Sequence, residues 1–550
     1  MRPLNSHLTR RSASWPALPQ APAVVRRARL SERAAAALDA ILVLVPHDAG
    51  DGSLAHLPQA ERWLRLRARA QQPNAVRSAT LANARDTRAV LGVLPPRASP
   101  FETLALAGRM LKEIAGDAEV IALAAPLESN AARAARGAGE AAAAAPAADE
   151  RLSALLSAAL AHAFELPSFR GPAHSTPAPT RRHLQRIEIV EGGPLDLSYI
   201  EAAARGNDLA RFLTALPPNV LDARAYRDFL ARFAREHGLA FEWLGESALE
   251  RLGANAFLAV ARGNSERTAG IAHLTYRPAA TRRGRSRDRA PSHRAARRAG
   301  APDVALVGKG ILFDTGGTNL KPHRSMLDMH TDMAGSAVAL ATLGALARLH
   351  APLAADAWLA ITENRIGPQA YVPQEVVRAA NGVTIQVIHT DAEGRMALAD
   401  TLALAGRTRP RLMIDFATLT GTCVYALTER MSGLTTNEPR LLPTLLAAGR
   451  SSGERVWSFP FEADYDADLE SKVADVLQCS VEAKGDHILA ARFLARFVPE
   501  GTPWVHLDLS SALRAGGLAH VPTDVTGFGV RYALELLLRT RVLEEARALA

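Results

Sequence analysis

Two lysines, Lys309 and Lys321, stand in the stretch VGKGILFDTGGTNLKP of a chain that writes nearly all of its 65 basic residues as arginine and keeps only Lys112, Lys472 and Lys484 besides. An ammonium held beside metals or other cations can lose its proton and ligate as a neutral amine, which a guanidinium cannot do in a protein. The carboxylates Asp314, Asp332, Asp391 and Glu393 lie in and after that stretch. Lysine among carboxylates is the composition of a metal site. Two ions a few ångströms apart need bridging carboxylates, terminal carboxylates that balance charge, and an open position for water or substrate. Mostly oxygen donors with one nitrogen suit Zn, Mn, Co or Mg, and they disfavour copper and iron–sulfur chemistry.

In HTDAEGRMALAD, Asp391, Glu393 and Arg395 alternate. An extended segment would point all three to one side before a helix begins. Asp314 follows the Lys309 strand, and Asp332 opens a small-residue helix where backbone N–H groups favour a buried carboxylate. Each of these carboxylates taken singly reads as a cap, turn or surface group. Several in order, with both lysines kept, reverse that reading. Cys423 reads as buried filler, because no base motif accompanies it.

The elements that must position these residues are strands alternating with helices. VALVGKGILF, DAWLAIT, TIQVIH and RLMIDFATL are apolar strand runs, and DMAGSAVALATLGALARL is a helix of small residues suited to close packing. Such alternation predicts an α/β fold, a largely parallel or mixed sheet covered by helices, with ligands outside the carboxyl ends of the strands. Lys309, Glu363, Asp391 and Thr418 fall at or just beyond those ends. Earlier in the chain, ILVLVP, AVLGVLP and EVIALAAP read as strands with a helix, FETLALAGRMLKEI, before the last. We therefore expect a disordered basic extension at 1–34 and a small N-terminal α/β domain at 35–175 with an Ala-rich insertion near 131–150. A larger catalytic domain with a mixed β-sheet flanked by helices then occupies 180–550 and carries an Arg-rich loop at 281–300.

The net charge of +9 is concentrated in two segments, +7 at 281–300 and +6 at 1–34, which leaves −4 for everything else. Runs of this kind read as solvated loops, with nucleic-acid contact the less favoured alternative. No apolar run is long enough for a transmembrane helix. Two cysteines, Cys423 and Cys479, make no disulfide framework and suit a reducing cytoplasm.

The stretches VGKGILFDTGGTNLKP, MHTDMAGSAVAL, HTDAEGRMALADTLALA and DFATLTGTCVYAL, with ILAARFLARFV, PWVHLDL and TGFGVR after them, resemble the leucyl aminopeptidase family of dinuclear metallopeptidases, peptidase family M17. The resemblance covers roughly 200–545. It implies a hydrolase that removes N-terminal residues from peptides with a free amino end, two divalent ions per subunit (Mn or Zn, with Co or Mg as alternatives), and a homo-hexamer. It assigns Lys309, Asp314, Asp332 and Glu393 to the tighter metal, and Asp314, Asp391 and Glu393 to the more exchangeable one. Lys321 would polarise the substrate carbonyl, and Arg395 would hold a bicarbonate that takes the proton from the metal-bridging water. The substrate amine would bind the exchangeable metal with Asp332 beside it. Met329, His389, Thr418, Leu419 and Gly421 match substrate-contacting positions. The chain departs from the family at His389, where Asn is usual, and at Thr318, Asn319, His323 and Arg324. A narrow-specificity dipeptidase and a DNA-binding protein of the same fold are the alternatives.

Overall fold

The computed structural model describes residues 18–114, 116–126, 146–170, 183–190, 194–278, 300–482 and 484–549. Most of the Ala-rich stretch 131–150 and nearly all of the Arg-rich loop 281–300 lie outside them.

A first sheet is built from β1 (Ala23–Arg27), β2 (Ala40–Pro46), β3 (Val76–Thr80), β4 (Arg88–Leu94), β5 (Val120–Ala124) and β6 (Arg186–Val190), in the order β1-β6-β5-β2-β4-β3. All neighbours are parallel except β3 and β4. Two boundaries expected from the sequence move. Residues 23–27 are strand rather than disordered extension, because the register Ala23↔Arg186 to Arg27↔Val190 completes the edge of the sheet. The same pairing carries the N-terminal unit past 175, since β6 sits between β1 and β5 and buries Ile187 and Ile189. An edge strand with exposed arginines has no apolar run, so its sequence gave no strand signal.

Helices α1 (Pro100–Lys112) and α2 (Ala148–Ala163) cover this sheet. α1 starts with a capping box, Ser99 and Glu102 each taking the other's backbone N–H. Next comes α3 (Leu197–Thr214). Its fully buried Arg211 joins the two halves of the molecule: it pairs with Asp208 at 2.6 Å, donates to the Ala161 carbonyl on α2 and the Thr523 hydroxyl, and lies over the Phe164 ring.

The larger sheet draws on β7 (Ala240–Gly245), β8 (Gly270–Tyr276), β9 (Val304–Asp314), β10 (Ala355–Asn364), β13 (Leu412–Ala417), β14 (Ser432–Thr436), β15 (Val456–Ser458) and β17 (Trp504–Asp508), in the order β15-β14-β17-β13-β9-β10-β8-β7. Between them, β11 (Val376–Arg378), β12 (Thr384–Gln386) and β16 (Val476–Leu477) form a small separate sheet. TIQVIH is thus a strand only over its first three residues. The four central strands β17, β13, β9 and β10 run parallel, and antiparallel strands flank them, so the sheet is mixed as expected.

β9 leads through α4 (Ala334–Arg348) to β10 on one side, and β10 leads through α5 (Glu393–Gly406) to β13 on the other side of β9. The chain therefore changes direction across the sheet at β9 and β13, and the crevice above that point is where such sheets take ligands. α4 packs with α3 and α8 (Val530–Arg539) in one apolar layer, while α5 and α7 (Asp486–Ala495) build the layer on the opposite face. Every residue from Ala334 to Ala347 is buried. That approach needs small residues: a Cβ on Gly335 would stand 2.0 Å from the Phe416 carbonyl oxygen.

Candidate metal centre

The carboxyl ends of the four parallel strands converge on one crevice. Asp314 ends β9, Asn364 ends β10, Asp508 ends β17, and Thr418 directly follows β13. Lys309 lies five residues before Asp314, an odd separation that in a regular strand sends two side chains to opposite faces. The register with β10 shows how both reach one site. Ile311 pairs with Thr362 and Asp314 with Asn364, so β9 holds one residue more than its partner between those pairs. This bulge re-aims Asp314 to the Lys309 side. Oxygens of Asp314, Asp332 and Glu393 then all lie within 4.8 Å of one another, and all three residues are buried.

Two lysines are threaded between the carboxylates. Lys309 Nζ lies 2.8 Å from Asp332 and 3.0 Å from Glu393 Oε1, and donates to the Thr418 carbonyl at 2.9 Å. Lys321 Nζ lies 2.9 Å from Asp314 Oδ2 and 2.5 Å from Asp391 Oδ1. Asp332 follows a short 3-10 turn, Met329–Thr331, and stands two residues ahead of α4. Its Oδ1 takes hydrogen bonds from Lys309 and the Thr418 hydroxyl, so side chains supply the partners expected from helix N–H groups. The alternation expected for Asp391, Glu393 and Arg395 gives way at Arg395, because α5 already begins at Glu393. Two helical residues turn the chain by about 200°. Arg395 accordingly reaches toward α7, donating to Asp486 at 2.7 Å and to the Gln478 carbonyl at 3.4 Å.

Four carboxylates against two ammonium groups leave an excess of negative charge out of water, which must be met by protons or cations. Burial, then repulsion from Glu393 and Asp332, pushes Asp314 up to about 8; burial, against the pull of Lys309, pushes Asp332 up to about 6. Asp391 is raised by burial and by Glu393. Burial works against the charge on Lys309, but Asp332, Glu393 and Asp314 outweigh it and hold the ammonium above its ordinary range. Lys321 is raised in the same way, chiefly by Asp314. Glu393 is lowered, since Lys309 and Lys321 overcome its burial. One oxygen of Asp332 and one of Asp391 are buried with a lysine ammonium beside them, at 2.8 and 2.5 Å. Such acceptors, in an all-oxygen set with amines beside them, fit divalent cations of the Zn, Mn, Co or Mg kind.

Several supporting residues carry no sequence signal. Asn364 is fully buried and donates to Asp314 Oδ1 at 2.8 Å and to the Thr390 carbonyl at 3.0 Å. Its neighbour Glu363, the residue expected at this strand end, pairs instead with Arg365. Asn319 and Thr390 clasp each other through backbone and side chain, which ties the Lys321 segment to the Asp391 segment. Gln478 accepts from the N–H groups of Ile388 and His389 and donates to the Ala392 carbonyl. Asp508 accepts from the N–H and hydroxyl of Thr420 and from the Leu419 N–H, shaping the turn into α6 (Gly421–Leu427). Of the residues matched to substrate positions, Met329 is half-buried in the 3-10 turn and His389 is exposed, its Nδ1 accepting from the Asp391 N–H at 3.2 Å. Thr418 directs its hydroxyl to Asp332, and the space a Cβ would take at Gly421 is open.

Gly394 is another residue that only the packing exposes. A Cβ there would stand 2.5 Å from Lys309 Cε and 2.7 Å from Nζ. Gly394→Ala is expected to push the amine out of line and cut turnover by about 10²-fold, the scale of an ångström-sized misplacement, while the circular dichroism spectrum is unchanged. Full turnover in that variant would show that the Lys309 position is not critical.

A model of the cytosol aminopeptidase family, catalytic domain, matches residues 208–534. A probable cytosol aminopeptidase of Synechococcus sp. (strain CC9605) is 37% identical over 365 residues, 65% of this chain and 70% of the relative. Among solved structures, the bottromycin maturation enzyme BotP in complex with Mn superposes with a TM-score of 0.72 at 30% identity, covering 91% of this chain and 98% of that one. A mutant of tomato leucine aminopeptidase shares the fold, with a TM-score of 0.77 at 24% identity over 96% of this chain and 98% of the other. Among the described residues, no helix is long and apolar enough to cross a membrane.

Proposed function

The chain belongs to the cytosol aminopeptidase family and is a metal-dependent aminopeptidase, and from that premise we propose how its own residues divide the work. The observation that carries the assignment is the buried cluster of Asp314, Asp332 and Glu393 threaded by Lys309 and Lys321. Lys309, Asp314, Asp332 and Glu393 would hold one divalent ion, and Asp314, Asp391 and Glu393 would hold the second. Bound ions of this kind supply an activated water and a Lewis-acid centre for a peptide carbonyl.

Lys321 reaches the cluster from the side of Asp314 and Asp391 and is less buried than Lys309, which suits a cation turned toward the substrate carbonyl as negative charge develops. Asp332 and Asp391 bring negative charge to the substrate's free amine. An enzyme that anchors the amine selects the first peptide bond, and an acylated terminus lacks the charge to compete. Thr418, Leu419, Gly421, Met329 and His389 form the surroundings of the first side chain. The manganese in the BotP structure supports Mn as the working ion, with Zn the alternative. A hexameric assembly and a cytoplasmic location complete the proposal, supported by the family's motifs and by the cytosol designation of the relatives.

The decisive experiment strips metal from the protein and returns Mn, Zn, Co or Mg singly while a panel of aminoacyl substrates and their N-acetylated counterparts is assayed. Turnover is expected to vanish on stripping, to return with Mn or Zn, and to be confined to substrates with a free amine. Hydrolysis by the stripped protein, or equal cleavage of acetylated substrates, would overturn the reading.

A further inference from the structure

The bicarbonate that the resemblance places on Arg395 does not fit the surroundings this chain builds there. Arg395 belongs to the first turn of α5, and its side chain is only 2% exposed. Its Nη2 donates to Asp486 Oδ2 at 2.7 Å and its Nη1 to the Gln478 carbonyl at 3.4 Å. Asp486 is the first residue of α7, where Gly485 turns the chain into the helix at φ 61°. A carboxylate at that position also faces the positive end of the helix. The pair thus joins two elements 91 residues apart and compensates a buried cation from inside the protein. A dissolved anion would have to share that buried cation with Asp486, so two negative charges would crowd one positive charge in a place closed to water.

The pair also bears on the metal centre. Arg395 stands two residues beyond Glu393, and Gln478 holds both the Arg395 guanidinium and the backbone of Ile388, His389 and Ala392. Together they brace the segment that carries Asp391 and Glu393. We propose that Asp486 is a built-in counter-anion for Arg395, a positioning residue that supplies from the chain what would otherwise be recruited from solution as bicarbonate. Turnover of this enzyme is therefore independent of dissolved carbonate. The inference rests on the aminopeptidase reading above.

The test uses the metal-loaded enzyme in carbonate-free buffer, with sodium bicarbonate or sodium formate then added at constant ionic strength. Wild-type kcat is expected to change by less than about twofold. Asp486→Ala is expected to lose roughly 10- to 100-fold in kcat with metal content retained, and to recover in a saturable way with bicarbonate or formate, because a small anion then fits beside the bared guanidinium. Asp486→Asn, nearly the same size, serves where the alanine variant does not fold. A second reading needs no turnover: the ¹³C resonance of labelled bicarbonate should broaden with the variant and not with the wild type. Bicarbonate activation or binding in the wild-type enzyme, or a variant that keeps full turnover without added anion, would overturn the proposal. Absence of hydrolysis by the wild type with every metal would instead overturn the aminopeptidase reading, while the resonance measurement still decides the anion question.

Discussion

Lys309→Arg is expected to abolish turnover and lower the bound metal together, although the substitution conserves charge. Three features of the structure set the size of the effect. Lys309 Nζ sits between Asp332 and Glu393 with the Thr418 carbonyl as its third partner, so nothing nearby has room to yield without moving a proposed ligand. The backbone of α5 passes so close that even a methyl group at Gly394 would meet the Lys309 side chain, and a planar guanidinium is larger than an ammonium. A guanidinium also stays protonated in proteins, so it cannot offer a lone pair to a metal. Loss of one ion's contribution to the reaction, several kcal/mol, corresponds to a fall of about 10³-fold or more in kcat/KM. Metal analysis of the purified variant and its kinetics with aminoacyl substrates check both parts. A variant that binds metal as the wild type does and turns over normally would remove Lys309 from the ligand set.

Lys321→Ala is expected to produce the opposite separation: metal retained and rate lost. Lys321 compensates Asp314 and Asp391, so its removal makes the cluster more negative and a cation more welcome there. What disappears is a cation placed for the substrate carbonyl. Removing one such donor costs about 10²- to 10³-fold in kcat. KM should move far less, because the interaction grows as charge develops on the oxygen. The measurement pairs metal content with separate kcat and KM values. Depleted metal with an otherwise normal rate per bound ion would make Lys321 a part of the metal-binding set instead.

The corrections to the expected boundaries have a common cause. Runs with an apolar core, such as ILVLVP in β2 and VALVGKGILF in β9, declared themselves because burial on both faces requires it. β1 did not, since an edge strand needs a partner more than it needs hydrophobicity, and the interior strand β6 is only five residues, RIEIV, with a buried Glu188 at its middle that pairs with Arg27 of β1. Asp391 and Glu393 meet at the centre as alternation predicts, whereas Arg395 follows the 3.6-residue period, because the helix already starts at Glu393.

What the sequence determined by itself is the chemistry: which residue types stand in which order, two lysines among carboxylates, on strands alternating with helices. Ligand preference is a property of functional groups, and it survives translation into any fold that brings those groups together. What only the tertiary structure decided is direction and partnership. Asp314 shares a site with Lys309 because β10 is one residue shorter across a bulge, and that depends on the partner strand. Asn364 rather than Glu363 turns inward because β10 alternates regularly from Ala360, which the register sets beside Lys309, through Thr362 to Asn364. Gly394 matters because α5 crosses a lysine 85 positions earlier in the chain, and Asp486 meets Arg395 across 91 positions. Contacts of that separation are set by how helices seat on the sheet, so local pattern carries no trace of them.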